Sequence, residues 1–282
     1  MLHVPVLLEE SLDFLLNDLS GSYLDLTFGR GSHSKEILNR LSLSGKLFAV
    51  DRDLEAVTYG KDNIADKRFT IFHANYSDVD VLFPEQQFNG ILLDLGTCST
   101  HLDNYSRGFS FQGEGPLDMR MDTSQGFSAQ SFLNESTELE ISNVIYKYGE
   151  EKASRRIAKA IVEFRNHTLI QSTSDLVKII ESVLKRTGKK HPATKTFQAI
   201  RIHVNNELEH LEIALGKLSQ LLNEQGVIAI ISFHSLEDRI VKNFFKPDIQ
   251  SLPKDIPINN VCLLYTSPSP RDRTRSRMPS SA

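Results

Sequence analysis

One ten-residue stretch narrows the folds open to this chain more than any other. It reads Asp25-Leu26-Thr27-Phe28-Gly29-Arg30-Gly31-Ser32-His33-Ser34, and Asp51 follows Gly31 by 20 residues. Two glycines let a backbone turn tightly and pass close to a ligand, and a helix start offers unpaired N–H groups. An acid at the tip of the next strand, about 20 residues on, is placed for ribose hydroxyls. The pattern therefore predicts a strand–turn–helix that holds an adenosine-containing cofactor. It leaves the cofactor open. Ser34 stands where the dinucleotide fingerprint has its third glycine. A nicotinamide enzyme and an S-adenosylmethionine (SAM) enzyme, which has no pyrophosphate to cradle, both fit.

Strand-like and helix-like segments alternate around this stretch. Apolar runs at 23–28, 46–50, 69–73 and 90–95 read as strands, with amphipathic helices at 34–41 and 54–61. Continuous apolar runs separated by such helices indicate a parallel sheet covered on both faces. The rhythm breaks at 103–130, a Gly-, Ser-, Asp- and Arg-rich stretch too long for a plain connection. Helical patterns follow at 138–148, 151–166 and 174–184. A long helix is then expected, its apolar stripe running Phe197, Ile200, Val204, Leu208, Leu211, Leu215, Leu218, Leu222. At ~1.5 Å per residue it would span about 40 Å. A strand at 226–233 and a helix at 236–245 restore the α/β pattern. The expected organisation is a Rossmann-like α/β domain from residues 1–104 and 201–261, with a helical insertion for substrate recognition at 105–200. Residues 262–282 are Ser/Pro/Arg-rich and cannot bury a core, which suggests a disordered, non-native tail.

Composition excludes several classes. No run approaches the ~18 apolar residues of a membrane span, and the first ten residues are acidic without a basic signal region. A cytoplasmic protein is expected. Two cysteines, Cys98 and Cys262, do not make a disulfide framework, and no Cys/His spacing fits zinc, so no metal is expected. The net charge of −4 conceals an asymmetry. Residues 147–201 carry 13 Lys/Arg against 5 Asp/Glu, leaving 19 against 31 elsewhere. A basic middle suggests an acidic partner, nucleic acid first.

Chemistry-bearing residues gather at expected strand ends. Asp94 closes the fourth strand, where it could accept a hydrogen bond from an amine or contact the cofactor; it could equally cap a helix. His33 lies in the glycine loop, and His101 and His234 follow strands four and five. Cys98 is more plausibly inert than nucleophilic. Asp118, Arg120 and Asp122 form a charge cluster that suits a solvated loop or a substrate clamp.

Longer motifs carry a resemblance. His3-Val4-Pro5-Val6-Leu7-Leu8, the 27–34 loop, Asp51-Arg52-Asp53, Leu92-Leu93-Asp94-Leu95-Gly96 and Arg107-Gly108-Phe109-Ser110-Phe111 come first. Residues 115–122, Tyr148-Gly149-Glu150-Glu151, the 191–199 segment, Val204-Asn205-Asn206-Glu207-Leu208 and the 231–239 segment follow in order. From His3 to Phe245 the sequence resembles the bacterial 16S rRNA cytidine N4-methyltransferases. The resemblance implies a class I methyltransferase sheet with a helical insertion, SAM as cofactor, and 16S rRNA of the small ribosomal subunit as partner. The reaction implied is methyl transfer to the exocyclic N4 of a cytidine. By position it implies cofactor contacts at Gly31, Ser32, His33, Asp51, Tyr76, Asp94 and His101. Asp94 is also the candidate catalytic acceptor for the amine. Ser32, Tyr76 and His101 stand where the family pattern has Gly, Phe and Gln, and Leu26 and Thr97-Cys98 also depart from it. The family's last strands are not recognisable past about Val261, so C-terminal strands are expected to be missing. Phe109, Phe111 and Arg120 are candidate platforms for an unstacked base. A nicotinamide oxidoreductase and a non-catalytic RNA-binding module on the same fold are the competing readings.

Overall fold

The computed structural model describes residues 6–186 and 191–246. The expectations for the 262–282 tail and for missing C-terminal strands concern residues outside that range.

Among the described residues, five strands form one parallel sheet: β1 (Ser22–Asp25), β2 (Lys46–Asp51), β3 (Phe69–His73), β4 (Phe88–Asp94) and β5 (Leu222–Ile231). Their order is β3-β2-β1-β4-β5. The chain builds outward from β1 and then returns to its other side, so the direction of winding reverses between β1 and β4. Such a reversal opens a crevice beyond the carboxyl ends of the strands. Asp25 and Asp94 end these two strands and Asp51 ends β2. Among the described residues β5 is the outer strand on its side, and residues 227–230 are only half-buried.

Successive side chains of a strand point to opposite faces, and both faces here are apolar. Tyr23, Leu47 and Leu92 pack against α1 (Leu8–Leu15) and α2 (Ser32–Arg40). Leu24, Ile91 and Leu93 point the other way. There Phe48, Phe83 and Phe88 meet edge to face, at ring separations of 5.2–5.7 Å. Helix α3 (Leu54–Asn63) borders β2 and β3, Val79 of α4 (Val79–Leu82) joins the core under the sheet, and α5 (Ser99–Asp103) follows β4.

The insertion has a core of its own. It gathers α6 (Ala129–Glu135), α7 (Glu138–Gly149), α8 (Ser154–Arg165), α9 (Thr173–Val183) and α10 (Thr194–Val204) around Phe132, Ile145, Ile161, Ile180 and Ile200. Reciprocal side-chain caps fix two of the helix starts. Thr137 and Glu140 close α7, and Ser172 and Asp175 close α9.

The expected long helix is not continuous. α10 ends at Val204, and α11 (Glu207–Leu218) starts after Asn205-Asn206, with Asn206 left-handed at φ 47°. Asparagine tolerates that conformation better than most residues. The apolar stripe therefore serves two cores. Phe197, Ile200 and Val204 belong to the insertion, whereas Leu211, Leu215 and Leu218 cover the sheet before α12 (Ser235–Phe244). Asn205 holds the break. Its Oδ1 accepts from the Met121 N–H at 2.7 Å, and its Nδ2 donates to the carbonyls of Met119 at 2.7 Å and Arg201 at 2.9 Å.

Replacing Asn205 with Ala leaves buried backbone groups unpaired, at about 1–3 kcal/mol each. The expected outcome is a loss of about 2–4 kcal/mol in chemical denaturation, and earlier exchange of the insertion amides than of the sheet amides. An unchanged midpoint would remove Asn205 as the fastener.

Candidate active site

The glycine loop turns because Gly31 is left-handed, at φ 70°; a Cβ there would come within 2.5 Å of the Phe28 ring. Gly31 is the N-cap of α2, so the helix opens directly after the turn and its first N–H groups face the crevice. Asp51 fastens the loop from β2. Its Oδ2 accepts from the Gly29 N–H at 2.7 Å, and its Oδ1 from the Asp53 N–H at 2.8 Å. Each oxygen keeps a further lone pair for a ligand hydroxyl. Burial holds the Asp51 carboxyl above the usual carboxylate range.

The crevice encloses about 560 Å³. Of the residues expected from sequence, Ser32, His33, Asp51, Tyr76 and Asp94 line it. Gly31 shapes the wall from behind. His101 is turned away from the cavity: its Nε2 lies 2.6 Å from Asp53 Oδ2, and its ring stacks on Phe109 at 4.8 Å. Buried Asp53 draws it there. Asp53 also accepts from Arg107 Nη1 at 3.0 Å and caps α3 through the Glu55 N–H. Burial alone would raise the Asp53 carboxyl, but the His101 hydrogen bond and the Arg107 charge outweigh it and hold it at about 2. His101 is pushed up to about 9, since its bond to Asp53 outweighs burial.

Asp94 is the opposite case. Its N–H donates to Thr27 Oγ1 at 2.6 Å, yet its buried Oδ1 has no hydrogen-bond partner. The nearest cation-forming group, His33 Nδ1, lies 3.7 Å from Oδ2, beyond hydrogen-bond range. Burial lowers His33 to about 4, so its ring is neutral near pH 7 and makes no ion pair. Burial, with the nearby charges of Asp25 and Glu237, raises Asp94 to about 7. The buried Nε2 of His33 is likewise without a partner. An uncompensated carboxylate and a free imidazole nitrogen beside a glycine loop suit a ligand carrying a cation and a carboxylate. The Asp94 carboxylate disfavours a pyrophosphate beside it.

Sequence reasoning missed Arg201, Glu207 and Glu237, which also line the cavity. Arg201 forms a fork with Glu207, at 2.8 and 2.9 Å. Glu237 accepts from the Phe233 N–H at 3.0 Å and lies 3.2 Å from His234 Nε2. Glu207, His234 and Glu237 each bring one ligand-capable atom within 4.8 Å of the others, a grouping that the spacing argument against metals could not foresee. Both carboxylates are already engaged by these protein donors. Phe233, 45% exposed, lines the cavity near Gly96. The expected platforms are committed elsewhere. Phe109 is buried, Phe111 stacks on His191, and Arg120 is held by Asp118 at 2.8 and 2.9 Å.

A parallel sheet with its switch point at β1/β4, a glycine loop, an acid closing β2 and a carboxylate with a free oxygen closing β4 are the architecture of a class I methyltransferase domain. Comparison with known proteins agrees: the chain belongs to the MraW methylase family, whose model matches residues 1–266. Curated relatives named "Ribosomal RNA small subunit methyltransferase H" include one from Ruthia magnifica subsp. Calyptogena magnifica, 45% identical over 262 residues, covering 91% of this chain and 85% of that protein. Another, from Legionella pneumophila (strain Corby), is 48% identical over 264 residues, covering 91% and 86%. Among solved structures, a putative rRNA-methylase from Clostridium thermocellum overlaps 34% of this chain and 57% of its own at 18% identity, with a TM-score of 0.30.

Asp51→Ala removes both the loop fastening and the acceptor offered to a ribose. Isothermal calorimetry with S-adenosylhomocysteine should show affinity weakened at least about tenfold, in line with about 1.5–3 kcal/mol for a charged hydrogen bond. Retained affinity would detach Asp51 from nucleoside binding.

Proposed function

We propose that this chain transfers a methyl group from SAM to the exocyclic N4 of a cytidine in 16S rRNA of the small ribosomal subunit. The observation that carries the mechanism is Asp94, a half-buried carboxylate whose buried Oδ1 has no protein partner in the cavity beside the glycine loop. The residues fit the cofactor. Asp51 would take its ribose hydroxyls, Tyr76 one wall, and the 31–32 backbone with His33 Nε2 its methionyl end. His101 bears on the Asp51 end of the site through Asp53, whose N–H donates to Asp51. When bound, SAM supplies a methyl group activated on a cationic sulfonium.

The amine of cytosine is a poor nucleophile because its lone pair is delocalised into the ring. Alignment and an acceptor for its hydrogens are what the protein must provide. Asp94 Oδ1 is that acceptor and holds the proton the nitrogen loses. Phe233 offers a ring face to an unstacked base, and the Arg201–Glu207 fork and Glu237 present polar groups to its edge. Exposed Lys152, Arg155, Lys159, Lys178, Lys185 and Arg186 on the insertion suit RNA phosphates. Among the described residues, no helix is long and apolar enough to cross a membrane. This reading carries a cytoplasmic location with it.

The deciding assay supplies labelled SAM and small subunits that lack the modification. Label should appear on cytidine N4, and Asp94→Asn should lower kcat/KM by about 10²-fold or more. Label on protein or DNA, or binding of NAD in place of SAM, would overturn the assignment. The pH profile has a definite sign. Asp94 must be ionised to accept, and its value in the free protein is about 7. Activity in kcat/KM should therefore fall below pH 7 and level off above it. A cationic donor favours the carboxylate, so the kcat profile should bend at lower pH.

A further inference from the structure

We propose that Phe127, His203 and Tyr148 form a stacking platform on the insertion for unpaired RNA nucleotides beside the target cytidine. The proposal rests on the reading of RNA as the substrate, and it says where the strand next to the target lies. His203, on α10, stands between the other two rings. Its centroid is 5.5 Å from that of Phe127 and 6.3 Å from that of Tyr148, whose ring plane is within 22° of its own. The turn before α6, helix α7 and helix α10 thus bring one ring each.

Packing explains only part of this row. Phe127 precedes Ser128, the N-cap of α6, and leans on Phe132 inside that helix at 6.3 Å. The contact is a hydrophobic staple that fixes how the chain enters α6. A leucine would serve a staple equally well, and the contact leaves Phe127 42% exposed. The neighbouring turn is open too: a Cβ built on left-handed Gly126 would meet nothing within 4 Å. His203 and Tyr148 are half-buried. An exposed ring already held by packing loses little freedom when a base settles on it.

Charge favours nucleic acid over an apolar partner. Lys147 Nζ lies 5.0 Å from the Tyr148 ring centroid, and among the described residues no carboxylate pairs with it. Glu140 is the acid that faces His203, and it is committed to the start of α7, accepting from the Thr137 N–H at 2.7 Å and Oγ1 at 2.8 Å. Rings interleaved with an unpaired cation are the surface that single-stranded nucleic acid uses, the bases stacking while the cation takes phosphate. Position completes the argument. Arg201, two residues before His203 on α10, lines the donor cavity. Side chains two apart on a helix point nearly opposite ways, so α10 presents the cavity on one flank and the ring row on the other. A strand whose cytidine enters the cavity has only the ~10 Å width of one helix to cross.

Fluorescence anisotropy of a short labelled single-stranded oligoribonucleotide, with the full chain and without SAM, reads the platform directly. Phe127→Leu keeps the staple and removes the ring face. It should weaken binding at least about fivefold, as for one lost stack, while Phe127→Tyr retains it. Lys147→Gln should lower the salt slope by about 0.7, the value of one phosphate on a single strand. Tyr146, 64% exposed, points away from the row on α7, so Tyr146→Ser should change nothing. A duplex of the same sequence should bind more weakly, since its bases are closed to stacking. On small subunits Phe127→Leu should raise KM and leave kcat as it was. The proposal is overturned by absence of binding to the single strand, by unchanged binding in Phe127→Leu, by an equal loss in Tyr146→Ser, or by equal affinity for the duplex. A dimer in sedimentation that Phe127→Leu dissolves overturns it as well. If Phe127→Leu does not fold, photo-crosslinking of 4-thiouridine RNA to the unaltered protein decides. Crosslinks in the peptides of Phe127, Tyr148 or His203 support the platform, and crosslinks confined to other peptides refute it. Ring-dependent binding without methyl transfer keeps the platform and removes the cytidine reading; methyl transfer without ring dependence does the converse.

Discussion

A single buried carboxylate, Asp53, ties the working parts together. It caps α3, accepts from His101 and Arg107, and gives its own N–H to Asp51. Arg107 uses its other arm on the carbonyls of Arg120 and Met121, in the stretch that feeds the insertion. Asp51 at the tip of β2, the loop after β4 and the insertion therefore share one charged node. Two cations and an acid out of water are tolerable only while every partner is present. Loss of Asp53 would leave His101 without its carboxylate and Arg107 with only the more exposed Glu55 at 3.2 Å, so this node sets the geometry around the cavity.

The cavity divides its charges into satisfied and unsatisfied sets. Arg201 and Glu207 neutralise one another at the α10–α11 break, and Glu237 is held by its own helix start. Asp94 and His33 have no such relief. A protein keeps buried polar atoms unpaired where a ligand completes them. The imbalance suits a ligand with a positive centre and a carboxylate near the glycine loop, with a polar but electrically balanced region elsewhere on the wall.

The sheet was legible because each strand is an apolar run closed by an acid or a turn, and the glycine loop because its spacing has a backbone cause. The α10–α11 break was hidden by an apolar stripe that passes through it without interruption. Asn205-Asn206 was the available signal, since Asn is among the few side chains at ease in a left-handed position. Arg201, Glu207 and Glu237 read as surface charges of helices, and only the fold brings residues from the insertion and the sheet to one wall. His101 was expected on the cavity surface because position along the chain cannot show a ring turning toward Asp53. The phenylalanines at 109 and 111 were expected to be free for the same reason, though packing claims both.

The chain leaves the sheet domain near Arg107 and returns near Asn205, and these two crossing points are fastened to each other through Met119 and Met121. About a hundred residues thus hang from one stapled doorway. An attachment of that kind adds little loop-closure entropy as the hanging portion grows or shrinks. Evolution is free to re-tailor what the appendage grips, in length and in sequence, while the chemistry on the other side of the doorway stays as it is.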